Sequence, residues 1–353
     1  MHSVHIIGSS GLGGAESFYA RLIHGLHRQG DRVTAINRPD SPVSRVLDQS
    51  ITQMHPRMVN HFDFISRMQI RRFARLEQPE IIQTYMTRAT TLTHIPEGRG
   101  TVHVARLGGY YRLKRFSHAH AWVGNTRGIC DYMLENGFPA DRVFYIGNFV
   151  GDIQSGSEAE KAATRSESGI PDDALVVSAA GRFIEKKGFD VLLEAFARLP
   201  AEIDDRPVHL ILIGDGRMRE KLERQASAIE GKERIHWTGW QTNPGPWYQL
   251  ADVCVCPSHD EPLGNVILEA WRHGKPIVST RTMGGEELIS DSGDGLLVPV
   301  GDAQGMSAAI GRYLTDPDLR AANAAAGLQR VTDEFSEAAI VSQYRELYQQ
   351  LSS

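Results

Sequence analysis

DVCVCPSHDEPLGNVILEAWRHGKPIVST, residues 252–280, contains one full repeat of an open α/β fold. DVCVCPS is a short apolar run closed by proline and serine, the pattern of a buried strand. In the loop that follows, Pro262 disfavours helix at Glu261, while Gly264 and Asn265 suit a tight entry into VILEAWRH, which has helical composition. Gly274 and Pro276 stop that helix, and PIVST begins the next strand. Strand, loop, helix and strand in succession build a parallel sheet.

The same alternation extends in both directions. LVVSAAG, VHLILIG, RIHWTG and GLLVPV complete a set of strands in the second half, and SVHIIG, RVTAIN, IIQTYM, TVHVAR, AWVGN and VFYIG form a first set, each separated by helical segments. At 353 residues the chain exceeds the size of one ordinary core. The expected organisation is therefore α/β with two doubly wound, Rossmann-like domains. Residues 1–150 form the first, the polar stretch 151–174 the connection, with room for a helical piece, residues 175–335 the second, and 336–353 a closing helix that packs back on the first domain. Two such domains facing each other leave a cleft beyond the carboxyl ends of their strands.

Composition narrows the class. With 41% apolar and 23% charged residues, and no apolar run near the roughly 20 residues a membrane span needs, the chain reads as an ordinary globular protein. MHSVHIIGSS reads directly as a first strand and lacks the pattern of a secretory leader, so a cytoplasmic location is expected. Three cysteines, two of them alternating in a strand, supply neither a disulfide framework nor a metal-ligand pattern. Residues 1–150 carry 18 Lys+Arg against 11 Asp+Glu, leaving 20 against 32 in the remainder. A basic first half suits a phosphorylated acceptor or an anionic membrane surface; a solvated basic face accounts for it equally well.

The chemistry gathers in the second half. Glu261 sits in the loop before a helix and Glu269 on that helix's second turn, on either side of amides around Gly264 and Asn265 that point outward and suit an anion. Carboxylates there repel a phosphate but accept from sugar hydroxyls, so the set fits a diphosphate flanked by two sugars, a nucleotide sugar. In isolation the two glutamates would read as solvated. In AAGRFIEKKGFDVLLEAF, residues 179–196, Arg182 and Lys187 lie on a loop between strand and helix where both can converge on a diphosphate. Taken alone, that basic pair would more often be a solvated face. LILIGDG places Gly216 after a strand, and RIHWTGW ends at Trp240, an indole that suits either stacking on a base or packing. GSSGLGGAE, residues 8–16, is a glycine-rich turn that permits close backbone approach to a ligand.

The spacing from Glu261 to Glu269, with EPLG before an apolar helix and GKPIV after it, resembles the E-x7-E signature of the retaining glycosyltransferases of the GT-B fold, glycosyltransferase group 1, family 4. Leu263 stands where phenylalanine is common in that family. GRFIEKKG resembles the family's GR-x5-KG pattern, and the matching segments cover the second half almost continuously and in order. The resemblance implies that Glu261 holds a hydroxyl of the transferred sugar, Gly264 and Asn265 touch sugar and phosphate, and Glu269 takes the ribose. It further implies that Arg182 and Lys187 bind the leaving diphosphate, and that Gly13 and Gly14 face the acceptor and donor phosphate. Transfer is then expected with retention, without metal or cofactor. Many relatives place a histidine after the fifth strand of the first domain; TVHVARLGGYYRLKRF offers Arg106 in its stead.

The implied reaction moves a sugar from a nucleotide-sugar donor to a glycan or lipid-linked acceptor, as in polysaccharide or lipopolysaccharide assembly, with no role for nucleic acid. ISRMQIRRFARL, residues 65–76, intersperses Arg67, Arg71, Arg72 and Arg75 among apolar residues; such a helix suits peripheral binding to anionic lipid at the inner membrane face, or packing on its own sheet with the arginines outward. The rival reading is an NAD(P)-dependent nucleotide-sugar epimerase or dehydratase of the extended short-chain dehydrogenase type, from Gly8, Gly11 and Gly14 with Tyr110 and Lys114. Against it, the G-x-G-x-x-G fingerprint fails, the second strand ends at Asn37 and Arg38 without an acid, and a whole α/β domain has no task.

Overall fold

The computed structural model describes residues 1–11, 13–98, 100–151 and 157–352. The chain divides into two compact units, Met1–Gly151 together with Phe335–Ser353, and Asp152–Glu334.

In the first unit the strands are β1 (His2–Ile7), β2 (Arg32–Ile36), β3 (Thr52–Met54), β4 (Ile81–Tyr85), β5 (Val102–Leu107), β6 (Ala121–Gly124) and β7 (Val143–Tyr145), and the connecting helices are α1 (Gly14–Arg28), α2 (Pro42–Val46), α3 (Phe64–Glu77), α4 (Met86–Leu92) and α5 (Arg127–Glu135). All pairings are parallel, in the order β3-β2-β1-β4-β5-β6-β7. Every residue of β1 is buried, as expected of a strand covered on both faces. Val4 and Ile6 pack with Ile70 and Ala74 of α3 and Ala89 and Leu92 of α4. On the opposite face Ile7 joins Phe18, Leu22, Ile23 and Leu26 of α1.

The second unit contains α6 (Glu158–Glu167), β8 (Leu175–Ala180), α7 (Phe189–Phe196), β9 (Glu202–Ile203), β10 (Arg206–Ile213), α8 (Arg219–Ser227), β11 (Ile235–Gly239), α9 (Gly245–Leu250), β12 (Val253–Cys256), α10 (Asn265–Arg272), β13 (Ile277–Thr280), α11 (Met283–Leu288), β14 (Leu296–Val298), α12 (Ala303–Thr315) and α13 (Pro317–Glu334). Its parallel order is β11-β10-β8-β12-β13-β14, with β9 added antiparallel to β10. Val177, Leu210 and Leu212 face Leu192 and Phe196 of α7 and Ile310 of α12, while Val176, Ile211 and Ile213 face Leu250 of α9. Part of the stretch read as a connection is thus helical, as α6, with a Ser157 side chain accepting from the Glu160 amide at its start; residues 152–156 of that stretch lie outside the described residues.

The last helix, α14 (Glu337–Ser352), belongs to the first unit. Its Ile340, Val341, Tyr344 and Tyr348 complete the core beside α1, and Arg28 of α1 pairs with Glu337. A methyl group at Gly25 would lie 2.5 Å from Val341 Cγ2, so the bare backbone there lets α1 and α14 pack closely. Beneath α14, Arg106 of β5 donates from Nε to the Tyr344 hydroxyl (3.0 Å) and from Nη2 to Asn148, and its guanidinium lies 3.8 Å from the centroid of the Phe18 ring.

Tyr344→Phe leaves an Arg106 N–H without its acceptor and is expected to destabilise the first unit by about 1.5–3 kcal/mol, measured as a lowered urea midpoint at unchanged slope. A second expectation concerns acid. His209 of β10 and His236 of β11 share an imidazole-to-imidazole bond of 2.8 Å, and burial, with the His236 charge, pushes His209 down to about 4. The unfolded chain takes up this proton near pH 6.5 and the folded chain only near 4, so the contribution to stability is complete above 6.5 and is lost as pH falls to 4. Urea midpoints across that range should fall, and less steeply in His209→Asn.

Candidate active site

In the second unit β8 is flanked by β10 on one side and β12 on the other, so the connections leaving β8 and β12 turn to opposite faces. An open sheet receives its ligands at such a reversal, beyond the carboxyl ends of the strands. Two loops meet there, residues 181–188 after β8 and 257–264 after β12. They are joined through backbone: the amides of His259 and Asp260 donate to the Lys186 carbonyl at 2.8 and 3.2 Å. Gly188, at φ +64°, ends the first loop, and a Cβ there would stand 2.0 Å from the Pro257 carbonyl oxygen. Only glycine permits both that backbone conformation and that approach.

This contact brings Lys187 and Glu261 together. The ammonium donates to Glu261 Oε2, with side chains 20% and 12% exposed. Burial alone pulls Lys187 down, but the Glu261 carboxylate, with Cys256 and Glu269 adding to it, holds the ammonium above the ordinary lysine value. Glu261 also accepts from Ser258 Oγ (3.4 Å) and from the Gly264 amide (3.3 Å), and Thr280 Oγ1 fixes Ser258 by donating to its carbonyl at 2.6 Å. The main chain of Glu261 is held too, its carbonyl accepting from the Gly284 amide at 2.7 Å.

Gly264, at φ +79°, caps α10, and Asn265 is the first residue of that helix. Glu269 follows one turn on, where Oε2 accepts from the hydroxyl of buried Tyr248 at 2.9 Å; the Tyr248 ring stacks on His273 with centroids 4.9 Å apart. Arg182 is exposed, and among the described residues its side chain has no partner. Gly216 packs on the same loop, with the Phe183 carbonyl oxygen 2.5 Å from where its Cβ would be. Trp240, just past β11, is 69% exposed, whereas Trp237 on the strand packs edge-on against Phe183.

The remaining expected site residues lie in the first unit. Gly13 is the N-cap of α1 and its amide donates to the Glu16 carboxylate at 2.9 Å, a local bond that occupies one of the donors read as available to a ligand; Gly14 begins the helix. Leu12, within the same glycine-rich turn, lies outside the described residues. Arg106 is 3% exposed and its guanidinium is engaged by Tyr344, Asn148 and Phe18, which makes it a strut beneath α14. Tyr110 and Lys114 do not share a helical face, since only a short 3-10 turn, Leu113–Arg115, interrupts that stretch.

Sequence reading missed Tyr248, Ser258 and Thr280. Each acts through a carboxylate or a carbonyl that it orients, and nothing in its local sequence distinguishes it from a core hydroxyl.

Known proteins resemble this chain along its full length. Residues 174–316 match the family described as glycosyl transferases group 1. The lipopolysaccharide core biosynthesis glycosyltransferases LpsE and LpsD of Rhizobium meliloti are 36% and 31% identical to it, each over 95% of both chains. Among solved structures, Anabaena HepE in complex with UDP superposes with a TM-score of 0.86 at 19% identity, covering 99% of this chain and 100% of that one. WaaG, a glycosyltransferase involved in lipopolysaccharide biosynthesis, superposes at 0.72 with 15% identity over 99% of each chain.

Exchange of the paired charges tests whether they face an anion. Lys187→Met is expected to weaken inorganic pyrophosphate binding by about tenfold or more in calorimetric titration, the equivalent of one charge-assisted hydrogen bond. Glu261→Gln should strengthen it, because the ammonium then has no carboxylate to leave. Equal affinity in all three proteins would show that the pair serves only to join the loops.

Proposed function

The chain belongs to the group 1 glycosyltransferases, as 36% identity to LpsE across 95% of both chains establishes, and from that premise we propose how its second unit holds a nucleotide-sugar donor and what it glycosylates. The observation that carries the reading is the meeting of Lys187 and Glu261 at the strand-order reversal, with Glu269 one turn along the helix that Gly264 caps. Lys187 and exposed Arg182 take the donor diphosphate, joined by the outward amides at the start of α10. As the ammonium turns to phosphate, Glu261 is released to accept from a hydroxyl of the transferred sugar. Glu269, oriented by Tyr248, accepts from the ribose. Gly216 and Trp240 border the donor.

Departure of the diphosphate leaves a sugar with oxocarbenium character. Positive groups already in place stabilise the leaving charge more than they stabilise the intact donor, which lowers the barrier. Retention of configuration follows for this family, by attack on the face from which the diphosphate leaves. Arg106, enclosed by its three partners, acts in this scheme by positioning the first unit's core.

For the donor, UDP-sugars are favoured, since the similar Anabaena structures contain UDP and UDP-glucose. For the acceptor, the relatives named for lipopolysaccharide core biosynthesis favour a growing core oligosaccharide on its lipid anchor. Among the described residues no helix is long and apolar enough to cross a membrane. We place the enzyme at the cytoplasmic face of the membrane that carries such an acceptor.

Incubation with UDP-, GDP- and ADP-sugars, followed by thermal shift and by release of nucleoside diphosphate, tests the reading. A UDP-sugar should raise Tm and be turned over, with the donor's anomeric configuration kept in the product by proton NMR. Stabilisation by a donor without turnover on any core acceptor would indicate a binding protein, and stabilisation by NAD(P) in place of a nucleotide sugar would overturn the scheme.

A further inference from the structure

Helix α3 buries a narrow face, Ser66, Ile70 and Ala74, half-buries Phe73 beside it, and exposes the rest. Six of the thirteen exposed large apolar side chains among the described residues fall within 59–76: Val59, Phe62, Phe64, Ile65, Met68 and Leu76, with Phe62 86% and Ile65 71% exposed. Such a concentration is uncommon on a surface that meets only water. Arg67, Arg71, Arg72 and Arg75 stand on the same helix, exposed, and among the described residues none has a hydrogen bond or a carboxylate partner. Elsewhere in this unit Arg28 and Arg32 are paired with Glu337 and Glu77.

Between α3 and residues 94–96 and 101 is a cavity of about 620 Å3, bordered by Ile65, Met68, Ile95, Pro96, Arg72 and Arg75. Among the described residues no aspartate or glutamate lines it. His94, another lining residue, stacks on His118 at 3.9 Å. The volume is in the range of about 300–1,000 Å3 typical of small-molecule sites. A hollow with apolar walls, whose charged lining among the described residues is Arg71, Arg72 and Arg75, matches an amphiphile with an anionic head.

We propose that α3 and this cavity form a docking site for the surface of an anionic bilayer. The apolar side chains at the start of the helix enter the headgroup and acyl boundary, the four guanidiniums take lipid phosphates, and the cavity receives an acyl chain. A free phosphate would use the arginines and leave Phe62, Phe64 and Ile65 in water; a purely apolar partner would leave four arginines without counter-charge. The inference deepens the reading of a lipid-linked acceptor by naming the surface through which the enzyme reaches it, and its test uses neither donor nor acceptor.

Because Cys130, Cys254 and Cys256 are buried, Met68→Cys provides a single exposed thiol for an environment-sensitive fluorophore. Its emission should shift to the blue on phosphatidylcholine vesicles containing phosphatidylglycerol, and remain unchanged with phosphatidylcholine alone or with inorganic phosphate. In the triple variant Arg71→Gln, Arg72→Gln, Arg75→Gln, with Tm as the control for folding, vesicle affinity should fall by about a hundredfold, near fivefold for each cation removed. No shift on anionic vesicles, an equal shift on neutral ones, or a shift with phosphate alone would overturn the proposal. A shift that grows with protein concentration in the absence of vesicles would do so too, identifying a second copy of the chain as the occupant.

Discussion

The second unit depends on one constraint, the contact of two loops at the place where its strand order reverses. Gly188 is the residue that allows it, since a single methyl group there would collide with the main chain after β12. Through that contact a lysine from one βα connection reaches a glutamate from another, across 74 residues of sequence. A partly buried ion pair of this kind adds little to stability, because desolvation offsets most of the attraction. Its value is positional: both charges are held beyond the carboxyl ends of the strands, where the sheet order reverses.

The carboxylates are held more firmly than the cations. Glu261 is fixed through side chain and carbonyl by Ser258, Gly264 and Gly284, and Glu269 by Tyr248. Arg182 extends from the surface on the same loop as Lys187. A carboxylate held at several points keeps its acceptor oxygens aimed, so a donor that reaches it meets a geometry already in place.

Much of this was readable in the residues. Strands buried on both faces leave nearly continuous apolar runs, so β8, β10 and β12 stand out, and punctuation by Gly264, Gly274 and Pro276 marks α10. β3 and β9 escaped notice because three and two residues, largely polar and at sheet edges, carry no period. The helical piece within the polar connection had no legible bounds, since α6 has no buried residue to impose a helical stripe. Arg106 shows a different limit. The family resemblance put it in place of the histidine that many relatives carry after this strand; its partners come from 148 and 344, and only the folded chain brings them near. Tyr248 was missed for the same reason.

The final helix has a consequence for how the molecule is made. Translation proceeds from the amino terminus, and domains generally close as units as they are synthesised. Here residues 152–334 are all available before the ribosome reaches Ile340, Tyr344 and Tyr348, which the earlier-made unit needs to fill its core. The part of the protein begun first is therefore the last that can finish. Until then Phe18, Leu22 and the Arg106 guanidinium await the helix that covers them, a window in which a chaperone has something to hold.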